Sequence, residues 1–569
     1  MKKKLSIFFV LVLALSMFLA ACGGGNEGAT NENEGNENES SENATGGEGE
    51  GGEAKPDEEQ VLNLLESAEI PSMDPITATD QVSFIVMNNV FEGLYRLGPD
   101  NKPVPGVAKD YEKDGTKYTF TLNENAKWSD GSQVTAQDFE YAWKRALSPD
   151  TLAEYAYIMG DLKNANKIMD EESDLYGKVE ELGVKAVDEK TLEVELENDV
   201  PYFLGLTSFG TFMPLKKDYV EEQGKNYALE ADTMLYNGPF VLSEWNHEQN
   251  WKYEKNDQYW DKEAVKLDEI NVNVIKDTAT AVNLFETGKT DRAALSAEYV
   301  DQYKDTENYV TTPDAAVYFL RLNQKNEALA NVDIRKAISM GWDKKGLTDV
   351  ILNNGSTPAD YLVPKDFVSG PDGEDFRAEN GDMLSHDADK AKEHFEKGLE
   401  ALGQDSLELE LLNYDSENSK KVGEYLKNQL EKNLPGLTVS IKAQPFKQKL
   451  DLETKGDYDF SFAGWGPDYQ DPMTFIDMFV TDGAHNQMAY SNEEYDKLVE
   501  EAKTDLSDLE ARWDKLQEAE RILLEEDAAI APMYQRGNAH LMKTYVKDWV
   551  KHPFGGDYSF KWTYISGKN

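Results

Sequence analysis

Few side chains in this sequence are spaced for bond-making chemistry. The only thiol is Cys22, so no disulfide can close within the chain and neither a multi-cysteine zinc site nor a dithiol redox pair can form. The six histidines, His247, His386, His394, His485, His540 and His552, are scattered, with no pair at metal-ligand spacing on a helix face. The nucleophile elbow Gly-x-Ser-x-Gly and the zinc motif His-Glu-x-x-His are both absent. Carboxylates are plentiful, but in a chain with 108 acidic residues a pair of them says nothing about acid–base catalysis. The loop Gly370-Pro371-Asp372-Gly373-Glu374-Asp375 gathers hard oxygen ligands, yet it misses the full calcium-loop spacing and reads as a solvated acidic turn. These absences point away from an enzyme and predict no cofactor and no metal. What remains is binding chemistry, concentrated in Gly464-Trp465-Gly466-Pro467-Asp468-Tyr469. Glycines beside a tryptophan let a second backbone approach closely while the indole walls a pocket. A plainer reading is that the two glycines end a strand.

The elements around that run read as mixed α/β. Lys117-Tyr118-Thr119-Phe120-Thr121-Leu122 and Leu192-Glu193-Val194-Glu195-Leu196 alternate with period two, so each predicts a strand burying one face. Between them Thr135 is a helix cap with Asp138 three residues on, followed by Phe139, Ala142, Trp143, Ala146 and Leu147 at helical spacing. Near the other end Leu509, Trp513, Leu516, Ile522 and Leu523 mark a long helix, with Pro532 as its terminator. A chain of 569 residues that is 40% hydrophobic exceeds one ordinary domain and predicts two or three lobes. Its 58 basic against 108 acidic residues leave a formal charge of −50, and that repulsion argues against nucleic acid or an anionic bilayer as partner of the folded body.

The amino end reads as an address and a tether. Lys2, Lys3 and Lys4 precede the apolar run from Leu5 to Ala21, the layout of a secretion signal over residues 1–21. The run stops at Leu19-Ala20-Ala21-Cys22-Gly23, which resembles the lipobox of bacterial lipoproteins; by that resemblance Cys22 carries a diacylglycerol thioether and begins the mature chain. Two acyl chains suffice to hold a protein on a membrane without a spanning helix. Residues 22–59 are nearly all Gly, Asn, Glu, Ser and Thr, too polar to offset backbone ordering, and predict a flexible leash. Gly23-Gly24-Gly25-Asn26-Glu27-Gly28 has neither strand nor amphipathic helix beside it and is not a phosphate loop.

From about Ser67 to Ile565 the chain resembles the oligopeptide-binding family of solute receptors, which includes dipeptide, murein-peptide and nickel receptors. The resemblance is carried in order by Ile70-Pro71-Ser72-Met73-Asp74-Pro75, Val90-Phe91-Glu92-Gly93-Leu94, Ala126-Lys127-Trp128-Ser129-Asp130-Gly131 and Val134-Thr135-Ala136-Gln137-Asp138-Phe139. It continues through Tyr236-Asn237-Gly238-Pro239-Phe240, Asn256-Asp257-Gln258-Tyr259-Trp260-Asp261, Asp333-Ile334-Arg335-Lys336-Ala337 and Gly464-Trp465-Gly466-Pro467-Asp468-Tyr469-Gln470-Asp471-Pro472. It implies an α/β, periplasmic-binding-protein-like type II fold: two large hinged lobes and a small inserted α/β domain. Lobe I takes residues 60–91, 215–261 and 538–569, the insert residues 92–214, and lobe III residues 262–537.

The same resemblance implies a role for each matching residue. Thr79, Asp80 and Gln81 in one lobe and Gly464, Trp465 and Gly466 in the other pair with the backbone of an extended peptide, whose amides and carbonyls must all be met once buried. Asp468, the aspartate of the Trp-x-x-Asp-Tyr motif, holds the peptide's α-ammonium as closure strips its hydration. Tyr155 matches a tyrosine near that ammonium, or is an ordinary core aromatic. Asn237 matches an asparagine that hydrogen-bonds the ligand, or is a turn residue before Gly238. Of the basic positions that meet the peptide's carboxylate, Lys325 alone is basic here, with Phe462, Glu453 and Ser419 at the others, so length preference stays open.

The expected partners are an oligopeptide and the permease subunits of an ABC importer. The chain is expected as a monomer on the outer face of a Gram-positive-type cell membrane, touching the bilayer through its lipid alone. A dipeptide, a signalling peptide and a nickel chelate are rival cargoes, although a nickel receptor would need no amine anchor. A secreted peptidase lacks its motifs, and a wall adhesin would share the leash but not the clam-shell resemblance.

Overall fold

The computed structural model describes residues 55–568. Cys22, the secretion signal and all but the last few residues of the leash lie outside them. The chain builds three main sheets, each from segments distant in sequence. The first has strand order Val61–Glu66, Glu269–Val274, Asn250–Lys255, Phe240–Asn246, with the first two parallel. The second, larger sheet runs Arg292–Ala294, Ile530–Met542, Tyr309–Leu322, Phe460–Trp465, Leu407–Tyr414, Leu437–Gln444, and Thr357–Pro358 adds to Ile530–Met542. A small antiparallel sheet, Ala108–Asp114, Lys117–Leu122, Thr191–Glu195 and Val184–Ala186, contains both alternating segments. Tyr118, Phe120 and Leu122 are buried there, as period-two patterning requires.

Strand pairing moves two of the sequence-derived boundaries. Glu269–Val274 pairs in register with Val61–Glu66, so the chain leaves the first sheet after Val274 rather than at 262. At the other end Ile530–Met542 stays in the second sheet beyond residue 537, with Leu541 opposite Tyr309. Periodicity along a strand does not reveal which distant strand will accept it.

The local motifs organise the scaffold. Helix Ala136–Leu147 opens where Thr135 N–H donates to Asp138 Oδ2 at 2.9 Å; the same oxygen takes Trp128 Nε1–H at 3.1 Å, tying two of the quoted segments together. Glu92 is a second node: buried, it accepts from Arg96 Nε at 2.9 Å, Tyr259 Oη at 2.7 Å and Trp260 Nε1 at 2.5 Å. The long helix is Leu509–Arg521, continued by one wide turn over Ile522–Glu526. Pro532 does not end it; it sits inside Ile530–Met542 opposite Phe319, beside a register shift between Tyr318 and Phe319. A missing N–H is tolerated in a strand at such an irregularity.

Candidate functional site

Strand Phe460–Trp465 lies between Tyr309–Leu322 and Leu407–Tyr414, but the latter pairs with it only at Phe460 and Ser461. Beyond Ser461 the two strands part, and among the described residues no strand covers that edge of 462–465. An unpaired backbone edge of this kind can accept an added strand. The strand ends at Trp465, and Gly466, Pro467 and Asp468 continue as an irregular turn.

Asp468 is buried beneath that turn. Its backbone N–H donates to Thr474 Oγ1 at 2.9 Å, and its Oδ1 accepts from Tyr155 Oη at 3.5 Å. Its Oδ2 is buried with no hydrogen-bond partner among the described residues. Burial, reinforced by the nearby Asp477, pushes this carboxyl well above the usual range; the Tyr155 hydroxyl opposes the shift. Tyr155 comes from the short helical stretch Glu154–Met159, which follows helix Ala136–Leu147. Its ring is nearly parallel to Trp465, 7° apart with centroids 6.1 Å distant.

His485 completes the cluster and was not singled out from the sequence. It packs edge-on to Trp465 at 4.7 Å, to Tyr155 at 4.8 Å and to Tyr157 at 5.2 Å. Burial, aided by Arg321, lowers its pKa to about 3, so the ring is neutral. Tyr157 Oη, Trp465 Nε1 and His485 Nε2 are also buried without partners among the described residues. Four orphaned polar atoms in one aromatic nest are unusual, because buried polar groups are nearly always paired. Only the aspartate and tryptophan lie in one motif; no local signal links them to residues 155, 157 and 485.

The loop behind Asp468 is rigidly held. Asp471 receives two parallel bonds from Arg512, at 3.0 and 2.8 Å, and its Oδ1 also caps Met473 N–H at 2.9 Å. Arg512 in turn donates to Ala502 O. The segment 553–557 meets the turn from the carboxyl end of the chain: Gly555 N–H donates to Pro467 O at 2.9 Å, and Gln81 Nε2 donates to Gly555 O at 3.0 Å. Gln81, Ala316, Gly466 and Pro467 border a cavity of about 330 Å³. Across the molecule Lys447 Nζ donates to Pro71 O at 3.0 Å.

The remaining sequence candidates fall outside this cluster. Asp80 caps its own helix, Gln81–Val90, accepting from Ser83 N–H at 2.9 Å and Ser83 Oγ at 2.6 Å; burial raises its pKa to about 6. Thr79 precedes it in an irregular, half-buried stretch. Asn237 spends its side chain on the Glu92 backbone, with Nδ2 donating to Glu92 O at 2.8 Å and Oδ1 accepting Glu92 N–H at 3.0 Å. Those bonds tie the segment before Gly238 to a backbone 145 residues away. Lys325 is exposed beside Gly456. Gly464 is required by its neighbour Tyr318, whose ring a Cβ would meet at 2.8 Å, whereas at Gly466 the nearest atom is 3.9 Å away. Close approach by a ligand therefore does not account for Gly464. Glu453, at one of the vacated basic positions, is buried and accepts from Lys449 at 2.6 Å and Ser461 at 2.7 Å.

Residues 102–487 match the sequence profile of bacterial extracellular solute-binding proteins, family 5 Middle. The dipeptide-binding protein DppE of Bacillus subtilis is 36% identical over 510 residues, spanning 88% of this chain and 91% of DppE. Among solved structures, the substrate-binding domain of an oligopeptide ABC transporter from Bacillus anthracis is 50% identical, with a TM-score of 0.88 over 90% of this chain and 100% of that one. Listeria monocytogenes OppA bound to peptide is 46% identical, with a TM-score of 0.86 over 90% and 100%. The Escherichia coli murein tripeptide binding protein MppA superposes with a TM-score of 0.81, but an MppA structure in the unliganded open form gives only 0.58. The two MppA structures are 29% and 30% identical to this chain, so sequence does not account for the lower likeness to the unliganded open form. The chain thus belongs to family 5 of the bacterial extracellular solute-binding proteins, which are transport receptors and not enzymes.

Proposed function

We propose that this protein captures peptides with a free amino terminus outside the cell and delivers them to the permease of an ABC importer. The peptide lies extended, its α-ammonium on Asp468 and its backbone along the open edge of 462–466, with Thr79, Asp80 and Gln81 lining the opposite wall. The observation that carries this reading is the buried Oδ2 of Asp468, which has no partner among the described residues. A desolvated carboxylate is costly unless it meets a charge-assisted donor, and an ammonium supplies both charge and hydrogen. Tyr155 and Trp465 then form the walls that exclude water from the pair. The relatives named for oligopeptide and dipeptide binding support the cargo class. A diacyl anchor on Cys22, supported by the lipobox-like segment, keeps the receptor beside the membrane, and the hinge converts ligand capture into a shape the permease reads.

The test is calorimetry with di-, tri-, tetra- and pentapeptides, each with free and acetylated amino termini. Free-amine peptides are expected to bind, acetylated ones to lose most of their affinity, and Asp468→Asn to cost free-amine peptides about 1.5–3 kcal/mol. Equal binding of acetylated and free peptides by the wild type overturns the assignment. The dipeptide reading is favoured by the similarity to DppE; it predicts that affinity peaks at two residues and falls with each one added.

A further inference from the structure

Asparagine precedes glycine three times in the chain, at Asn237-Gly238, Asn354-Gly355 and Asn380-Gly381. With no Cβ to shield it, a glycine nitrogen can reach the preceding side-chain carbonyl, and the fold decides which of the three pairs is free to react. At Asn237 both reacting groups are tied down: the side-chain amide donates to Glu92 O at 2.8 Å, and Gly238 N–H donates to Val90 O at 2.9 Å. At Asn380 the amide donates to Gln517 O at 3.1 Å and to Glu520 Oε2 at 2.7 Å, and Gly381 N–H donates to Arg377 O at 3.0 Å. At the third pair neither Asn354 Nδ2 nor Gly355 N–H has a hydrogen-bond partner among the described residues. Asn354 is half-buried and Gly355 is exposed. The side chain makes one bond, through its oxygen: Ser356 N–H donates to Asn354 Oδ1 at 3.2 Å. That turn folds the side chain over the glycine between them, and the bond draws electrons away from Cγ, the carbon to be attacked. Gly355 sits at φ +89°, a conformation that glycine adopts freely.

We propose that Asn354-Gly355 is a self-modification site, at which the folded chain rearranges to isoaspartate without an enzyme. The Gly355 nitrogen gives its proton to solvent and bonds to Cγ of Asn354. The Cγ–Nδ2 bond breaks, and Nδ2 leaves as ammonia, taking back a proton. The cyclic succinimide that results adds water; opening at one carbonyl gives aspartate, and opening at the other gives isoaspartate, whose main chain runs through Cβ. No oxidant or cofactor enters. The position gives the change a consequence. Gly355 and Ser356 pack directly on the backbone of Gly537, whose N–H donates to Ser356 Oγ at 2.9 Å, and a Cβ on Gly355 would meet Thr311 Oγ1 at 2.7 Å. Thr311 and Gly537 belong to Tyr309–Leu322 and Ile530–Met542, which pair there through Thr312 with Asn538 and Pro313 with Gly537. A loop lengthened by one carbon and carrying a new charge is forced against that pairing.

The experiment is to hold the full chain at mildly alkaline pH, folded in one arm and in urea in the other. Each arm is then digested and mapped by mass spectrometry, with isoaspartate told from aspartate by enzymatic methylation. In the folded arm residue 354 is expected to convert about tenfold faster than 237 or 380, or more, because each of those must first break at least two hydrogen bonds. In urea the three rates should converge. Asn354→Gln should lose the product at that position, since the longer side chain closes a ring far less readily. Isoaspartyl protein, separated by its added charge, should melt below fresh protein. Conversion at 354 no faster than at 237 and 380 in the folded chain overturns the site, and so does an equal lead in urea, which would place the preference in the sequence and not in the fold. An unchanged melting temperature of the isoaspartyl form overturns its coupling to the two strands.

Discussion

Gly464 stands directly opposite Tyr318 on the neighbouring strand, and a Cβ at that position would come within 2.8 Å of the tyrosine ring. Gly466, two residues on, faces open space bordered by the cavity, with only Ala316 Cβ at 3.9 Å. Two glycines that look equivalent in sequence therefore serve different masters. Gly464→Ala should destabilise the protein by about 1–3 kcal/mol, as overpacking does, and Tyr318→Ala should relieve part of that cost. Gly466→Ala should leave stability within about 0.5 kcal/mol yet weaken peptide binding by tenfold or more, on the order of 1.4 kcal/mol. Thermal unfolding and calorimetry on both variants separate the two roles.

Asp471 and Arg512 form a buried two-point pair behind the turn at residues 466–468. Asp471→Ala leaves the guanidinium buried and uncompensated, and is expected to cost about 3–5 kcal/mol in urea unfolding. Because the same carboxylate caps Met473 N–H, peptide affinity should fall as well, even though Asp471 does not itself meet the ligand.

His485 couples the site to pH. Its pKa is lowered to about 3 in the folded chain by burial, against an ordinary value near 6.5 when unfolded. The folded state thus holds the neutral ring, and the stability this provides is present above about pH 6.5 and is lost as the pH falls toward 3. Relative to His485→Phe, the wild type should lose about 2 kcal/mol between pH 7 and pH 5. Parallel melting curves for the two proteins across that range check it.

Tyr155 contributes mainly through its ring. The hydroxyl meets Asp468 at the long distance of 3.5 Å, so Tyr155→Phe should cost free-amine peptides about 1 kcal/mol or less. Tyr155→Ala removes the wall stacked on Trp465 and opens the nest to water, and should weaken binding by tenfold or more, about 1.4 kcal/mol. If the two variants bind alike, the ring has no role in closing the site.

Local features were legible in the sequence. Alternation fixed the strands Lys117–Leu122 and Thr191–Glu195, the cap at Thr135 fixed a helix start, and the Trp-x-x-Asp run marked the turn that buries a carboxylate. These follow from side-chain period and hydrogen bonding within a few residues, which one segment carries alone. The remainder came from long-range packing. Tyr155 meets Trp465 and Asp468 only because the region after helix Ala136–Leu147 closes onto the second sheet, and His485 packs on Trp465 and Tyr155 from a third, distant segment. Glu269–Val274 joins the first sheet because Val61–Glu66 offers it a parallel edge, and Pro532 enters a strand where a register shift spares its missing N–H. Asn237 matched a ligand-binding position by sequence, but folding sets its amide against Glu92. Contacts across hundreds of residues depend on which surfaces can be buried together, and no stretch of sequence shorter than the whole chain contains that information.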